Sequence, residues 1–410
     1  MLSNLQNKKI FKGDTILWYV VIALMLVSVM VVYSSTGKLA YEQQDGNTMF
    51  YLIKQFVLLI AGVGIMIFLQ SLHYKYILSL SKILIAASFI LLILVSIVGE
   101  ERNETTRVLP IPFIGYTFQP AELAKLALIV WTARAISFNQ GDDKIILWEV
   151  LTVTGILSFI IFLENFSTSV LIWVVCMMML FIGNLKMKNI LLIISAFVVL
   201  IGLILLIAFT VPAASEIGRI STIRNRVTDF FSDNKVKEGY SYQSEQTRIA
   251  VARGGLFGVG PGNSVQRNYL PQPYMDCIYA IIIEEYGSIG GGIILLLYLV
   301  IFFRVGVIVR RCTRTFPALL VAGLGLSIVV QAFVNMAVSV GVMPITGQTL
   351  PLVSMGGTSI LFTCAAFGMI LSIAHTFDGD NEDVLEESEV EEEDVYEDVE
   401  EEDEISVVES

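Results

Sequence analysis

Apolar residues run along this chain in long unbroken blocks, at about 16–35, 49–71, 76–98, 120–138, 145–163, 167–183, 189–211, 276–303, 316–340 and 350–375. Blocks of roughly 18 or more nearly uncharged residues are what a hydrocarbon layer about 30 Å thick demands of a spanning helix. A helix is also one of the few structures that satisfies its own backbone inside lipid. The pattern predicts an all-α integral membrane protein of about ten transmembrane helices across 16–377, with no soluble globular domain. The fourth block is the least apolar: it opens at Pro120, a favourable first-turn residue, and carries Glu122, Lys125 and Arg134.

Polar positions between the blocks set the orientation. Short cytoplasmic loops collect Lys and Arg. With residues 1–15 inside, the inner loops hold Lys8, Lys9, Lys12, Lys75, Lys82, Lys186, Lys188, Arg304, Arg310, Arg311 and Arg314. The short outer loops hold only Lys38, Arg102 and Arg107. Both termini are therefore expected in the cytoplasm, the first block staying in the membrane as a signal anchor. One outer connection, about 212–275, is far longer than the rest. Its eight Lys and Arg residues do not bear on orientation, because long loops escape the charge rule. Loops of that length are usually functional.

Composition agrees: 55% of residues are hydrophobic and mean hydropathy is +0.74. The net charge of −12 needs one adjustment, because residues 378–410 hold 19 of the 38 acidic residues and no Lys or Arg. That tail has too little apolar surface to fold and is expected to be a disordered cytoplasmic extension. Without it the body is mildly basic, as suits loops near anionic lipid. Cys176, Cys277, Cys312 and Cys364 lie apart in apolar contexts and form no CxxC pair, so buried thiols are expected rather than disulfides or zinc. The two histidines, His73 and His375, are far apart. No P-loop, dinucleotide fingerprint, nucleophile elbow or internal repeat is visible, which argues against ATP-driven or redox chemistry and against nucleic acid as a partner.

Ionisable groups in or at the lip of membrane helices are costly and are functional candidates by default. Asp276 ends the long outer loop, and Pro271 and Pro273 stiffen its approach. It reads equally as a general base or as an acidic residue favoured near a helix N-terminus. Glu284 and Glu285 lie deeper in the same helix and demand partners or protonation. Glu122 and Lys125 share a helix face, either as a structural pair or as the lining of a polar cavity. Arg219, Arg224, Arg226, Arg248 and Arg253, interleaved with Gln243 and Gln246, suit a diphosphate or lipid headgroups.

Five segments occur in a telling order: YSSTG at 33–37, FQPAELAKLAL at 118–128, YQSEQTRIAVARGGLFGVGPGNS at 242–264, LPQPYMDCIYAIIIEEYG at 270–287 and NMAVSVGVMPITGQTLPLVSMGGTS at 335–359. In these the chain, from about Ser34 to Ile373, resembles the SEDS (shape, elongation, division and sporulation) family, most closely its division branch. The resemblance implies a peptidoglycan glycosyltransferase that polymerises lipid II outside the bacterial cytoplasmic membrane, at the septum. It implies a class B penicillin-binding partner and other division proteins, besides membrane lipid. By the same resemblance Asp276 would deprotonate the acceptor hydroxyl, and undecaprenyl diphosphate would leave with inversion. Glu122, Lys125, Gln119, Arg107, Gln243, Arg248, Arg253, Ser354, Gly356 and Gly357 would bind substrate. The sequence names no certain cofactor and leaves open whether Mg²⁺ or Mn²⁺ assists the diphosphate leaving group.

The chain departs from the family pattern at three points: Tyr274-Met275 where a His-Thr pair is usual, Glu164-Asn165-Phe166-Ser167-Thr168 in place of a Pro-Asp motif, and Arg107-Val108 in place of Arg-Trp. An elongation-type polymerase and a lipid II transporter are the competing readings. A transporter needs a site near the midplane, whereas the candidate residues crowd the outer face.

Overall fold

The computed structural model describes residues 12–98, 100–101, 106–111, 116–210, 224, 226, 228 and 240–377. The acidic tail, residues 1–11 and Arg219 lie outside them.

Each apolar block is a helix. The chain runs α1 (Thr15–Ser35), a short α2 (Gly37–Gln43), α3 (Thr48–Gln70), α4 (Tyr74–Val98), α5 (Pro120–Phe138), α6 (Asp143–Glu164), α7 (Phe166–Ile182) and α8 (Met187–Thr210). It continues with α9 (Tyr240–Gly254), α10 (Ile278–Arg311), α11 (Thr315–Ser339) and α12 (Thr358–Phe377). Among the described residues seven of these are long and apolar enough to cross a membrane, and α7 and α8 add two shorter apolar helices. α5 is the tenth, set apart by its three charged residues. The multi-pass helical architecture read from hydropathy is thus the one observed.

Local chemistry marks the helix ends. The Asp14 carboxylate caps α1 by accepting from the Leu17 amide at 2.9 Å. Asp142 caps α6 and Asn165 caps α7 in the same way. Pro120 occupies the first turn of α5, where a missing N–H costs nothing. Asp14 also binds Arg304 near the far end of α10, with Arg304 Nε donating to Oδ2 at 2.9 Å. That pair ties both helix ends to one side, the side to which the charge pattern assigns the cytoplasm.

α11 and α12 are central, each with 72% of its apolar window buried, whereas α4 is peripheral at 22%. Most of α5 is buried too. The hydrophobic core therefore centres on α5, α10, α11 and α12, with lipid-facing helices around it.

Three features go beyond the hydropathy reading. Between α4 and α5, three short strands, β1 (Glu100–Glu101), β2 (Thr106–Ile111) and β3 (Tyr116–Phe118), pair antiparallel in sequence order. The last spanning helix begins at Thr358, not near 350, because residues 350–357 form turns packed inside the protein. α10 is broken at Gly287, whose φ of 74° and ψ of −177° no helix contains. Residues 278–286 are then a half-helix, and 288–311 form a membrane span about 36 Å long.

The break at Gly287 is stabilised from outside. Its flanking backbone groups pair with the glycine-rich turn after α9: Val259 N donates to Glu284 O at 2.9 Å, Gly260 N to Glu285 O at 3.0 Å and Ser288 N to Gly255 O at 2.9 Å. The backbones approach so closely that a Cβ on Gly287 would lie 2.1 Å from Leu256 O, and one on Gly258 2.2 Å from Glu285 O. Both positions also require positive φ, so glycine is needed twice over.

Candidate active site

Asp276 lies just before the half-helix that starts α10, where α9, α11 and the 343–357 segment converge. Its position is fixed by main-chain contacts. Asn335 on α11 donates through Nδ2 to Asp276 O at 2.9 Å and to Gln348 O at 2.7 Å, joining the two segments. Ser354 Oγ donates to Met275 O at 2.6 Å and accepts from Leu350 N at 2.8 Å. Met355 N donates to Tyr274 O at 2.9 Å. The residues just before Asp276 are therefore held by backbone, which frees Tyr274 and Met275 from needing particular side chains for that purpose.

Asp276 lines a small cavity with Gln243, Thr247, Ser339, Thr346 and Gln348 among its walls. Gln243 Nε2 donates to Asp276 Oδ2 at 3.3 Å and also contacts Cys277 Sγ at 2.9 Å. The other carboxylate oxygen, Oδ1, is buried without a hydrogen-bond partner among the described residues, and so is Thr346 Oγ1 in the same cavity. Burial raises the Asp276 carboxyl above its ordinary pKa, against the opposing Gln243 hydrogen bond and the positive charge of Arg226. Burial and the neighbouring Asp276 charge push the Cys277 thiol well above its usual range, so it is not a nucleophile at neutral pH.

The other candidates distribute unevenly. Glu122 and Lys125 form a buried ion pair at 2.7 Å, and Lys125 Nζ donates to Gln331 Oε1 at 2.8 Å. With Ser327, Pro351 and Thr363 they line a second small cavity. Gln331 in turn donates to Thr349 O at 3.0 Å, so this cluster and the Asp276 cavity share the 343–357 segment. The Gln119 amide donates to Thr358 Oγ1 at 3.2 Å, bringing the start of α5 beside the start of α12, where Gly356 and Gly357 lie half-buried.

The basic residues do not form one cluster. Arg226, the nearest of them to Asp276 in effect, donates to Ser167 Oγ at 3.5 Å beside α7. Arg248 is exposed and lies against Gly341. Arg253 sits 3.8 Å from Glu284, so its charge serves that carboxylate. Arg107 falls on β2, and its side chain lies outside the described residues.

Glu284 is structural in geometry, and Glu285 is bound through Oε1 while its Oε2 is buried without a partner among the described residues. Glu284 accepts from Ser264 Oγ and from the backbone amides of Val265 at 3.1 Å and Gln266 at 3.3 Å. Glu285 accepts from Ser34 Oγ, and Arg267 Nη1 donates to Ser34 O at 2.8 Å. The YSSTG segment is thereby tied to α10. Thr346, Gln331, Asn335 and Gln348 are the site residues that sequence reasoning passed over. All four are uncharged, and only their convergence in space marks them. Among the described residues no group of three or more His, Cys, Asp or Glu side chains could hold a metal.

The chain is similar to known proteins along most of its length. A Coxiella burnetii protein described as a probable peptidoglycan glycosyltransferase FtsW is 30% identical over 382 residues, covering 90% of this chain and 99% of the relative. Stage V sporulation protein E of Bacillus subtilis is 31% identical over 370 residues, 88% of this chain and 96% of its own length. Among solved structures, a chain from a peptidoglycan synthase complex that coordinates polymerization and crosslinking superposes with a TM-score of 0.70 at 23% identity, covering 89% of this chain and 98% of that one. The rod shape determining protein RodA of Thermus thermophilus superposes with a TM-score of 0.61 at 22% identity, covering 88% and 96%. The signature of the FtsW, RodA and SpoVE cell cycle proteins matches residues 14–378, and this chain belongs to that family.

Proposed function

We propose that the protein is a peptidoglycan glycosyltransferase that polymerises lipid II into glycan strands at the outer face of the bacterial cytoplasmic membrane during cell division. The observation that carries this reading is Asp276 Oδ1: a buried carboxylate oxygen without a partner among the described residues, facing a cavity with an equally unpartnered hydroxyl. A buried acceptor left open costs free energy unless a ligand fills it. The name of the Coxiella burnetii relative, a probable peptidoglycan glycosyltransferase, supplies the substrate class.

In the proposed reaction Asp276 Oδ1 takes the proton of the acceptor sugar's 4-hydroxyl while Thr346 Oγ holds that hydroxyl in place. The oxygen attacks the donor's anomeric carbon from the face opposite the lipid diphosphate. The carbon–oxygen bond to the diphosphate breaks with inversion, and undecaprenyl diphosphate leaves. Arg226 offsets the charge that develops there, as a fixed cation does most effectively in a partly dry site. A carboxyl with a raised pKa is suited to the role, since a base works best when its pKa lies near the working pH. The Glu122–Lys125–Gln331 cluster lines the cavity on the donor side. A divalent cation would supply charge neutralisation for the diphosphate leaving group, and among the described residues no cluster of three or more His, Cys, Asp or Glu side chains would hold it. The glycan is then cross-linked by a class B penicillin-binding partner at the septum.

The test supplies purified protein and its cognate partner with lipid II and compares wild type with Asp276→Ala. Wild type makes polymer and the variant makes none, although it folds and binds its partner. Equal polymer from both overturns the assignment of Asp276. No polymer from either, with lipid II crossing vesicle membranes, replaces the enzyme with a transporter.

A further inference from the structure

α5 is enclosed by protein along most of its length, but one narrow stripe toward its cytoplasmic end is open: Trp131, Arg134 and Phe138, at helical spacing, with Phe138 65% exposed. Arg134 lies about 6 Å along the axis from the last residue of α5, below the polar surface of the inner leaflet. Its guanidinium is not left to find its own level. Nη1 donates to Ser81 Oγ on α4 at 3.1 Å, and Cζ stands 5.6 Å from the Trp131 ring centroid and 5.4 Å from that of Phe138. Two aromatic faces and a buried hydroxyl thus brace a cation against lipid.

What is missing is a counter-charge. Arg134 takes no part in the ion pairs Lys125–Glu122, Lys186–Asp143, Arg253–Glu284 and Arg304–Asp14. A charge inside a membrane helix normally pairs with another group or reaches water. Here it reaches neither an acidic side chain nor a polar cavity of the described protein. It is partly exposed, and Lys82, the exposed neighbour of its partner Ser81, lies on α4 with Lys75 two turns away on the same face. A guanidinium offers several N–H donors in a fixed fork, one of which Ser81 uses, leaving others for a phosphate.

We propose that Arg134, braced by Ser81 between Trp131 and Phe138, is a binding site for the phosphate of an anionic phospholipid in the inner leaflet. The ligand's phosphodiester accepts from the free guanidinium edge, Lys82 attracts its negative headgroup, and its acyl chains run along the exposed apolar surface of α4. The site is on the opposite side of the membrane from Asp276 and is separate from the chemistry there. Its consequence is to fix the depth of α5, the helix that carries Glu122 and Lys125 at its other end.

Native mass spectrometry of the full-length protein tests this. The protein is titrated with phosphatidylglycerol, with phosphatidylcholine of the same acyl chains and with glycerol 3-phosphate. The first phosphatidylglycerol binds about fivefold tighter than the first phosphatidylcholine, the worth of one basic group at an anionic membrane surface. Glycerol 3-phosphate does not compete. Arg134→Gln removes the preference, Ser81→Ala weakens it, and Lys186→Gln, a change to a basic residue elsewhere on the same side, leaves it intact. Equal affinity of wild type for the two lipids overturns the proposal without recourse to any variant. So does a preference that survives both Arg134→Gln and Ser81→Ala, which would assign it to the basic loops in general. Competition by glycerol 3-phosphate would replace the lipid with a soluble phosphate.

Discussion

Two carboxylates, Asp276 and Glu284, stand eight residues apart on one segment and in sequence look like equal candidates. Their surroundings differ in kind. Glu284 is fully buried, with a serine hydroxyl, two backbone amides and Arg253 arranged around it, and it clamps the turn at 264–268 onto the half-helix. Asp276 has one oxygen bound by Gln243 and one open to a cavity. A saturated carboxylate has no capacity left for a substrate; an unsaturated one holds free energy in reserve for it. An open oxygen alone does not separate framework from chemistry, since Glu285 Oε2 is also buried without a partner among the described residues; Asp276 is set apart because it also lines a cavity.

The comparison predicts opposite responses. The largest effect belongs to Glu284→Ala, which strands a serine, two amides and an arginine around an empty space. Leaving buried donors unpaired costs about 1–3 kcal/mol each, while the Arg253 pair, with the arginine 42% exposed, adds little. Thermal unfolding of the purified protein should show a clear drop in Tm, and a Tm equal to wild type would mean that Glu284 clamps nothing.

A smaller and more selective effect is expected at Thr346. Thr346→Val keeps the shape and removes the hydroxyl, so one neutral hydrogen bond to the acceptor is lost. At about 0.5–1.5 kcal/mol that slows polymerisation roughly threefold to tenfold with Tm unchanged. A rate equal to wild type would remove Thr346 from the site.

The subtlest response is a shift along the pH axis. Gln243 stabilises the ionised form of Asp276, and Gln243→Leu takes that away. The carboxyl then titrates higher still, so the acidic limb of the polymerisation rate moves to higher pH. An unmoved limb would show that Gln243 does not reach the working carboxylate.

Much of this was legible in the sequence, for a physical reason. Ten spans follow from continuous apolar runs, because lipid imposes one requirement on every one of them. Asp276 and the Glu122–Lys125 pair stood out because charge is rare in such surroundings. What could not be read depends on partners distant in sequence. Hydropathy sees Gly287 as one more residue of an apolar run, and only the turn at 255–260 explains how the helix can break there. Residues 350–357 passed for membrane because burial in protein and burial in lipid favour the same side chains. Ser354, expected at a substrate, instead holds the backbone before Asp276, and Arg253, expected at a diphosphate, faces Glu284. Thr346 and Gln331 carry no charge and gave no local signal at all.

The pKa of Asp276 gives the central claim a direct test. Because the folded state raises this carboxyl above its unfolded value, the native protein binds the proton more readily. Stability contributed by this group therefore falls as pH rises through that interval, and at neutral pH the ionised carboxylate is a cost. Asp276→Asn removes the cost and the base together. Tm and polymerisation of lipid II, measured on the same preparation at neutral pH, should separate: Tm equal to or above wild type, and polymerisation lost by at least about a hundredfold. A variant that melts early, or one that still polymerises at the wild-type rate, would contradict the account.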